Sequence, residues 1–377
     1  ALKCNTTGGD NIATGRSSLT NNTTGCWNIG LGLNALKDNT EGKTNIALGY
    51  YVMCSNTTGN YNTAIGHQAL FANTTGVSNT GIGFYSLLNN TTGSNNTVIG
   101  QEALCGNTTG HYNTALGCKA LKVSLSGDHN FAAGMCSLHN NWGGCYNTAI
   151  GNTALLQNTT GCHNNALGEC SLRGNTTGGW NNAIGRLALY GNTTGCHNAA
   201  IGFYALGNNT TGDHNFAAGC GTLYTTTTAD HNIGIGCRAL YANKTGCQNT
   251  ALGPGALACN TTGNCNTAIG GALFYNTTGS NNTSIGGVSM YYNTTGTDNT
   301  AIGHCTLFYN KTGSCNTAIG CRALYSSISG NHNFAAGQCS LYSNYGGCYN
   351  TAMGRCALKC NTTGCYNFAA GDRPLYS

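Results

Sequence analysis

The sequence predicts an all-β chain, a parallel β-solenoid (β-roll or β-helix) of 22 coils with 17 residues per coil. Three observations carry this: a fixed 17-residue period, turn residues at constant places within it, and no 3.6-residue apolar pattern. The glycine closing each N-T-A-I-G phrase falls at Gly15, Gly32, Gly49, Gly66, Gly83, Gly100 and Gly117, and the spacing holds to Gly371 with one residue missing between Gly270 and Gly286. Numbered from its turn, a coil reads N-T-T-G-x-x-N-T-A-I-G-x-x-A-L-x-x. One continuous solenoid is expected over residues 1–377, with residues 1–4 ending a preceding coil and no caps visible. The start in mid-pattern at Ala1 suggests a processed product or a piece of something longer.

Each stretch of the coil has its reason. The turn opens on Asn-Thr-Thr-Gly, and its fourth position is Gly in every coil but one, where Ala229 stands. Gly accepts positive φ there without a steric penalty. The seventh position is Asn in all 22 coils, from Asn11 to Asn367, and an Asn can satisfy its own backbone or stack in a ladder with the Asn of the next coil. Seventeen residues are too few for a helical hairpin, so short strands joined by tight turns are expected, paired in parallel from coil to coil. Four coils read F-A-A-G, placing Phe131, Phe216, Phe334 and Phe368 two residues before Ala133, Ala218, Ala336 and Ala370. That exchange of volume suggests that the eighth and tenth positions both face a packed core, with the Leu or Met of the fifteenth position as the opposing wall. At about 4.8 Å per coil the rod would be about 105 Å long, with open strand edges that favour end-to-end self-association.

Composition narrows the function. Only 7% of residues are charged and the net charge of +5 forms no Lys/Arg run, so no nucleic-acid footprint or anionic-membrane patch is visible. No apolar run reaches membrane-spanning length. With ten acidic residues and no pair fixed at repeat spacing, no catalytic constellation emerges and no cofactor is implied; the reading is not an enzyme. Twenty-three cysteines without CxxC pairs point to an oxidising, extracellular setting, secreted or at the cell surface.

Cysteines at one coil position in neighbouring coils lie within disulfide reach. Four pairs fit: Cys145 with Cys162, Cys220 with Cys237, Cys339 with Cys356, and Cys348 with Cys365. Three more are offset by one position: Cys118 with Cys136, Cys247 with Cys265, and Cys305 with Cys321. Histidine collects at the sixth position, where His197, His214 and His231 neighbour Cys196, Asp213 and Asp230. Since other coils hold Trp27, Tyr61 or Tyr112 there, the column reads as stacked flat side chains and no metal is assigned.

The turn is also an N-glycosylation acceptor. Sixteen turns carry it, at Asn5, Asn22, Asn56, Asn73, Asn90, Asn107, Asn158, Asn175, Asn192, Asn209, Asn243, Asn260, Asn276, Asn293, Asn310 and Asn361. Covalent N-glycans on them would explain how so uncharged a rod stays in solution. Four of the six turns without the acceptor form two adjacent pairs, S-L-S-G at Ser124 with N-W-G-G at Asn141, and S-I-S-G at Ser327 with N-Y-G-G at Asn344. These windows expose Leu125 with Trp142 and Ile328 with Tyr345 as candidate contact sites. They recur at a higher period of 12 coils, about 58 Å along the rod.

The phrase N-T-A-I-G-x-x-A-L, at Asn62 to Leu70 and again at Asn316 to Leu324, resembles the head repeats of YadA-type trimeric autotransporter adhesins and related fibre proteins. The resemblance implies a parallel β-roll, often trimeric, serving adhesion or display, although this coil is longer and far richer in cysteine. The expected function is an extracellular structural filament or stalk, glycan-coated and disulfide-stapled, self-associating end to end or as a homo-oligomer. The alternatives are an adhesin head that binds host matrix or carbohydrate, and an ice-binding solenoid that presents the Thr-Thr array of the turn.

Overall fold

The computed structural model describes residues 1–375. It contains 22 strands of three residues each, one per coil, and no helix. The chain forms two compact units, 1–194 and a second beginning at Gly195. Each is a parallel β-solenoid. The first holds the strands from Ile12–Thr14 to Asn182–Ile184, the second those from Ala199–Ile201 to Phe368–Ala370.

Register follows the repeat without slippage: Thr63 sits against Thr80, Ala64 against Gly81 and Ile65 against Ile82. The short coil keeps it, since Thr267 meets Thr283 one residue early. The missing residue is absorbed by the corner after Gly270, leaving the strand intact. Only one stretch per coil is strand, fewer than the sequence suggests, yet the rest of the ring is also bonded coil to coil. In one coil Leu70 N–H donates to Ser86 O at 3.0 Å, Ala72 N–H to Leu88 O at 3.0 Å and Thr74 N–H to Thr91 O at 3.0 Å. The whole perimeter therefore acts as a ladder, which answers where the backbone polar groups of so small a ring go.

The strand faces the core with its middle residue. Ala64, Ala115 and Ala149 are fully buried, whereas Phe131 and Phe334 at the eighth position and Ile65 and Ile150 at the tenth are exposed. This corrects the expectation drawn from the F-A-A coils. A shift of one residue in strand parity exchanges the faces, so Phe and Ala offset each other side by side on the outer surface. The fifteenth-position Leu, buried throughout in Leu70, Leu87 and Leu104, does form the inner wall. Opposite the alanines there is room only for small residues at the fourteenth position, such as Ala69 or Ser86, both buried.

The other half of the interior is amide. Asn at the first and seventh positions is buried in nearly every coil, Asn73 and Asn79 completely. The fourth-position Gly is required by this packing and not by positive φ. A Cβ on Gly59 would lie 2.5 Å from Asn56 Oδ1 and 2.9 Å from Asn73 Nδ2. Where Ala229 replaces it, the first-position residue of the same coil is Thr226, which has no amide to collide with. Positive φ belongs to the eleventh-position Gly, as in Gly66 at 135°, and to non-glycine residues at the sixth, thirteenth and fifteenth positions, as in Tyr61, Gln68 and Leu70 at 52–58°. Left-handed residues of this kind are unfavourable by about 1 kcal/mol or more each. They persist here because both neighbouring coils fix the ring.

Candidate functional site

Two amide ladders run through each unit. At the seventh position Asn79 Oδ1 accepts from Asn96 N–H at 3.0 Å and from Asn96 Nδ2 at 3.1 Å, while Asn79 Nδ2 donates to Gly93 O at 2.8 Å. At the first position Asn73 Nδ2 donates to Asn56 Oδ1 at 2.8 Å and to Gly76 O at 3.1 Å. Both hydrogens of that nitrogen are therefore used, at zero solvent exposure.

This geometry argues against glycans on most of the expected turns of the folded coil. N-glycosylation replaces one hydrogen of Nδ2 by a sugar carbon, and a buried ladder offers neither the hydrogen nor the space. Asn22, Asn56, Asn73, Asn90, Asn107, Asn158, Asn175, Asn192, Asn209, Asn243, Asn260, Asn276, Asn293 and Asn310 are all fully buried and cannot carry a glycan in the folded coil. Only Asn5, exposed, and Asn361, partly exposed, lie at accessible rungs. The sequon arises because Asn, Thr and Gly each have a packing role. The second-position Thr turns its hydroxyl along the solenoid, Thr74 Oγ1 donating to Thr91 O at 3.1 Å. The third-position Thr75 is exposed.

Leu125, Trp142, Ile328 and Tyr345 are exposed, and each pair lies on neighbouring coils, with Leu125 N–H donating to Trp142 O at 3.2 Å and Ile328 N–H to Tyr345 O at 3.1 Å. The ladder beneath them is broken, as it is at Thr226. Ser124 and Ser327 take the place of a ladder Asn, and their hydroxyls are buried without a partner among the described residues, as is Asn310 Oδ1 on the rung before Ser327.

A column that the sequence reading missed runs along the fifth position. Its side chain caps the backbone N–H of the preceding coil: Lys43 N–H donates to Asn60 Oδ1, Val77 N–H to Ser94 Oγ, Ser94 N–H to His111 Nδ1 and Asp128 N–H to Cys145 Sγ. The signal was the residue types down that column, Asn, Ser, Asp, His and Cys, which all place an acceptor close to Cβ. Cysteine there serves as an acceptor.

That role includes two of the expected disulfide pairs. Cys145 N–H donates to Cys162 Sγ at 3.1 Å, and Cys348 N–H to Cys365 Sγ at 3.1 Å, so these sulfurs are near neighbours. Burial, with the neighbouring Cys162 contributing, pushes the Cys145 thiol up. Cys220 and Cys237 are exposed on one corner, as Cys339 and Cys356 share another, where burial and then Cys356 raise the Cys339 thiol. All of these are free thiols in this structure. Among the offset pairs, Cys265 Sγ donates to Gln248 Oε1 at 3.3 Å, not toward Cys247.

The sixth position is a stack of flat groups. In the first unit Tyr112, His129, Tyr146, His163 and Trp180 follow one another at centroid spacings of 4.0–5.0 Å and within 10° of parallel. In the second, His197, His214 and His231 stack at 4.9 Å. Stacked imidazoles present their nitrogens side by side, and Asp213 and Asp230 accept from the backbone at Cys196 and Asp213. Among the described residues no group of three His, Cys, Asp or Glu converges as metal ligands. Nor is any helix among them long and apolar enough to cross a membrane.

No family model, curated protein or solved structure matches the chain. The parallel β-solenoid implied by the head-repeat resemblance is present, and none of these comparisons supports the family itself.

Proposed function

We propose that the chain is a structural, self-associating element of an extracellular fibre or stalk, not an enzyme. The observation that carries this reading is the outer face of each sheet. In the first unit Leu31, Leu48, Ile65, Ile82, Ile99, Leu116, Ile150, Leu167 and Ile184 form one apolar column, with Ala133 between Leu116 and Ile150, beside eighth-position residues that include Thr63, Thr80, Thr97, Thr114 and Thr148. Leu31, Ile65, Ile99, Ile150 and Ile184 are 37–46% exposed. Full burial of such a side chain is worth about 1.5–3 kcal/mol, so covering what remains open contributes roughly 1 kcal/mol per coil. Nine of them sum to about 9 kcal/mol, within the roughly 4–15 kcal/mol that association must overcome. Association through this face therefore depends on many coils acting together, as suits a fibre with a second copy of the chain as partner.

Cysteine pairs on neighbouring coils would reinforce the fibre in an oxidising setting. Closing a 17-residue loop through Cys145 and Cys162 would add about 3 kcal/mol. The proposal does not call on a glycan coat, since most first-position amides are buried.

The test is sedimentation velocity over a concentration series on the full chain and on an Ile65→Lys, Ile99→Lys, Ile150→Lys variant. The expected result is association of the native chain that the variant loses while its circular dichroism is unchanged. A monomeric native chain at high micromolar concentration, or a variant that associates equally, would refute the role of this face.

A further inference from the structure

The second unit carries a built recess at one corner. Along this stretch the thirteenth and sixteenth positions mix large side chains, Tyr204, Tyr224, Arg238 and Tyr241, with Gly207, Gly221 and Gly255. A Cβ on Gly207 would lie 3.2 Å from both Tyr204 and Tyr224, and one on Gly255 3.1 Å from Phe274, so the rings have taken the space that the glycines vacate. The result is a hollow of about 250 Å³ walled by Phe203, Tyr204, Tyr224 and Tyr241. A second of about 360 Å³ lies beside it, floored by Ala258 and Phe274. Arg238 lines both.

The rings are fixed relative to one another. Tyr204 meets Tyr224 edge-on at 5.5 Å, and Tyr224 stacks on Tyr241 at 5.4 Å. The Arg238 guanidinium lies 5.8 Å from the centre of the Tyr241 ring. It is exposed, and among the described residues no carboxylate pairs with it, unlike Arg186 with Glu169 and Arg355 with Asp372. A planar cation thus stands between two aromatic-floored hollows, its forked donors open to an anion. From Gly221 to Gly255 is two coils, about 10 Å along the solenoid.

We propose that this corner binds an acidic polysaccharide, with a sugar carboxylate on Arg238 and the flanking pyranose faces on the tyrosines. An extended chain that alternates acidic and neutral sugars matches one cation between two apolar hollows. A peptide would need backbone partners, and those of the corner are taken: Gly221 N–H donates to Phe203 O at 2.9 Å, Arg238 N–H to Cys220 O at 3.0 Å and Gly255 N–H to Cys237 O at 3.0 Å. A nucleic acid would call for several cations along its phosphates, and the hollows offer one.

Isothermal titration of the full chain with a hexasaccharide of alternating glucuronic acid and N-acetylglucosamine tests the proposal, beside the same hexasaccharide with its carboxylates reduced to alcohols. Two variants complete the design. Arg238→Gln removes the charge. Gly221→Gln fills the first hollow at a φ of 62°, close to the 53° at which Gln68 occupies the same coil position, so the backbone accepts it. The acidic sugar is expected to bind, the reduced one at least about tenfold more weakly, and each variant to weaken the acidic sugar by about tenfold or more, Arg238→Gln at an unchanged melting temperature and Gly221→Gln with unchanged circular dichroism. Arg238→Lys should retain part of the affinity. No heat at millimolar sugar, equal binding of the reduced form, indifference to both variants, or tighter binding of an acidic tyrosine-containing peptide would each overturn the proposal.

Discussion

Replacing Asn79 by alanine removes one rung of the seventh-position ladder. The amide leaves four bonds behind: two accepted from Asn96 at 3.0 and 3.1 Å, one donated to Gly93 O at 2.8 Å and one to Asn62 Oδ1 at 3.2 Å. Not all four losses are equal. Gly93 O keeps the bond from Asn90 Nδ2 at 2.9 Å, and Asn96 Nδ2 keeps Gly110 O at 2.9 Å, so these groups stay paired. The Asn96 N–H does not, and a buried donor left without a partner costs about 1–3 kcal/mol. Adding about 1 kcal/mol for each of two further bonds gives a destabilisation of roughly 3–5 kcal/mol. Because each coil of a solenoid touches only its neighbours, the loss should stay local and appear in hydrogen exchange more than in the global melt. Amides of the two flanking coils should exchange about 100-fold faster or more, with distant coils unchanged. Thr75→Ala, on the exposed rim four residues earlier, is the control and should change nothing. Unchanged protection of the Asn96 amide in Asn79→Ala would refute the ladder as the source of stability.

The natural breaks in the first-position ladder predict the reverse effect: Ser327→Asn restores a donor to Asn310 Oδ1, which now has no partner among the described residues, and should raise stability by about 1–2 kcal/mol in chemical denaturation. An unchanged or lower midpoint would count against the orphaned rung. Strand parity is checked by a pair of variants compared by thermal melting: Ala149→Leu overpacks a fully buried site and should cost about 1–3 kcal/mol, whereas Phe131→Leu changes an outer-face residue and should cost less than about 1 kcal/mol. Intact mass before and after glycosidase treatment of secreted chain should show sugar on Asn5 and Asn361 at most, and sugar on Asn73 or Asn90 in folded material would contradict their burial. Peptide mapping without reduction should find Cys145 joined to Cys162 in oxidised material, and recovery of both as alkylated thiols would leave them as hydrogen-bond acceptors alone.

The architecture was legible because a solenoid writes its geometry as a period. Gly15 to Gly371 and Asn11 to Asn367 specify coil length, number and register with no tertiary information. Parity was not legible, since Thr-Ala-Ile offers a small residue between two larger ones, and size suggests that the larger pair faces inward. The structure decides otherwise because the ring is so narrow that Leu70 and its equivalents largely fill it, leaving room opposite for small side chains such as Ala64, with Val98 the largest.

The same narrowness explains why the sequon misled. In an open turn Asn-Thr-Thr-Gly would present its amide to solvent, as an acceptor site must. Here a Cβ on the Gly would come within 2.5 Å of that amide oxygen at Gly59, a contact that exists only because the Asn side chain folds back inside the ring. The Gly at this place reports close packing of the turn as a whole: Gly76 O lies as near the same point, at 2.5 Å, and Gly127 and Gly330 persist where Ser124 and Ser327 replace the Asn. Ala229 is tolerated in the one coil where Thr226 has replaced Asn. A modification signal repeated at most turns of a close-packed solenoid is first a packing rule, and the thiols of the fifth position follow the same logic: Cys145 alternates with Asp128 and Ser94 because all three accept the backbone N–H of the coil before.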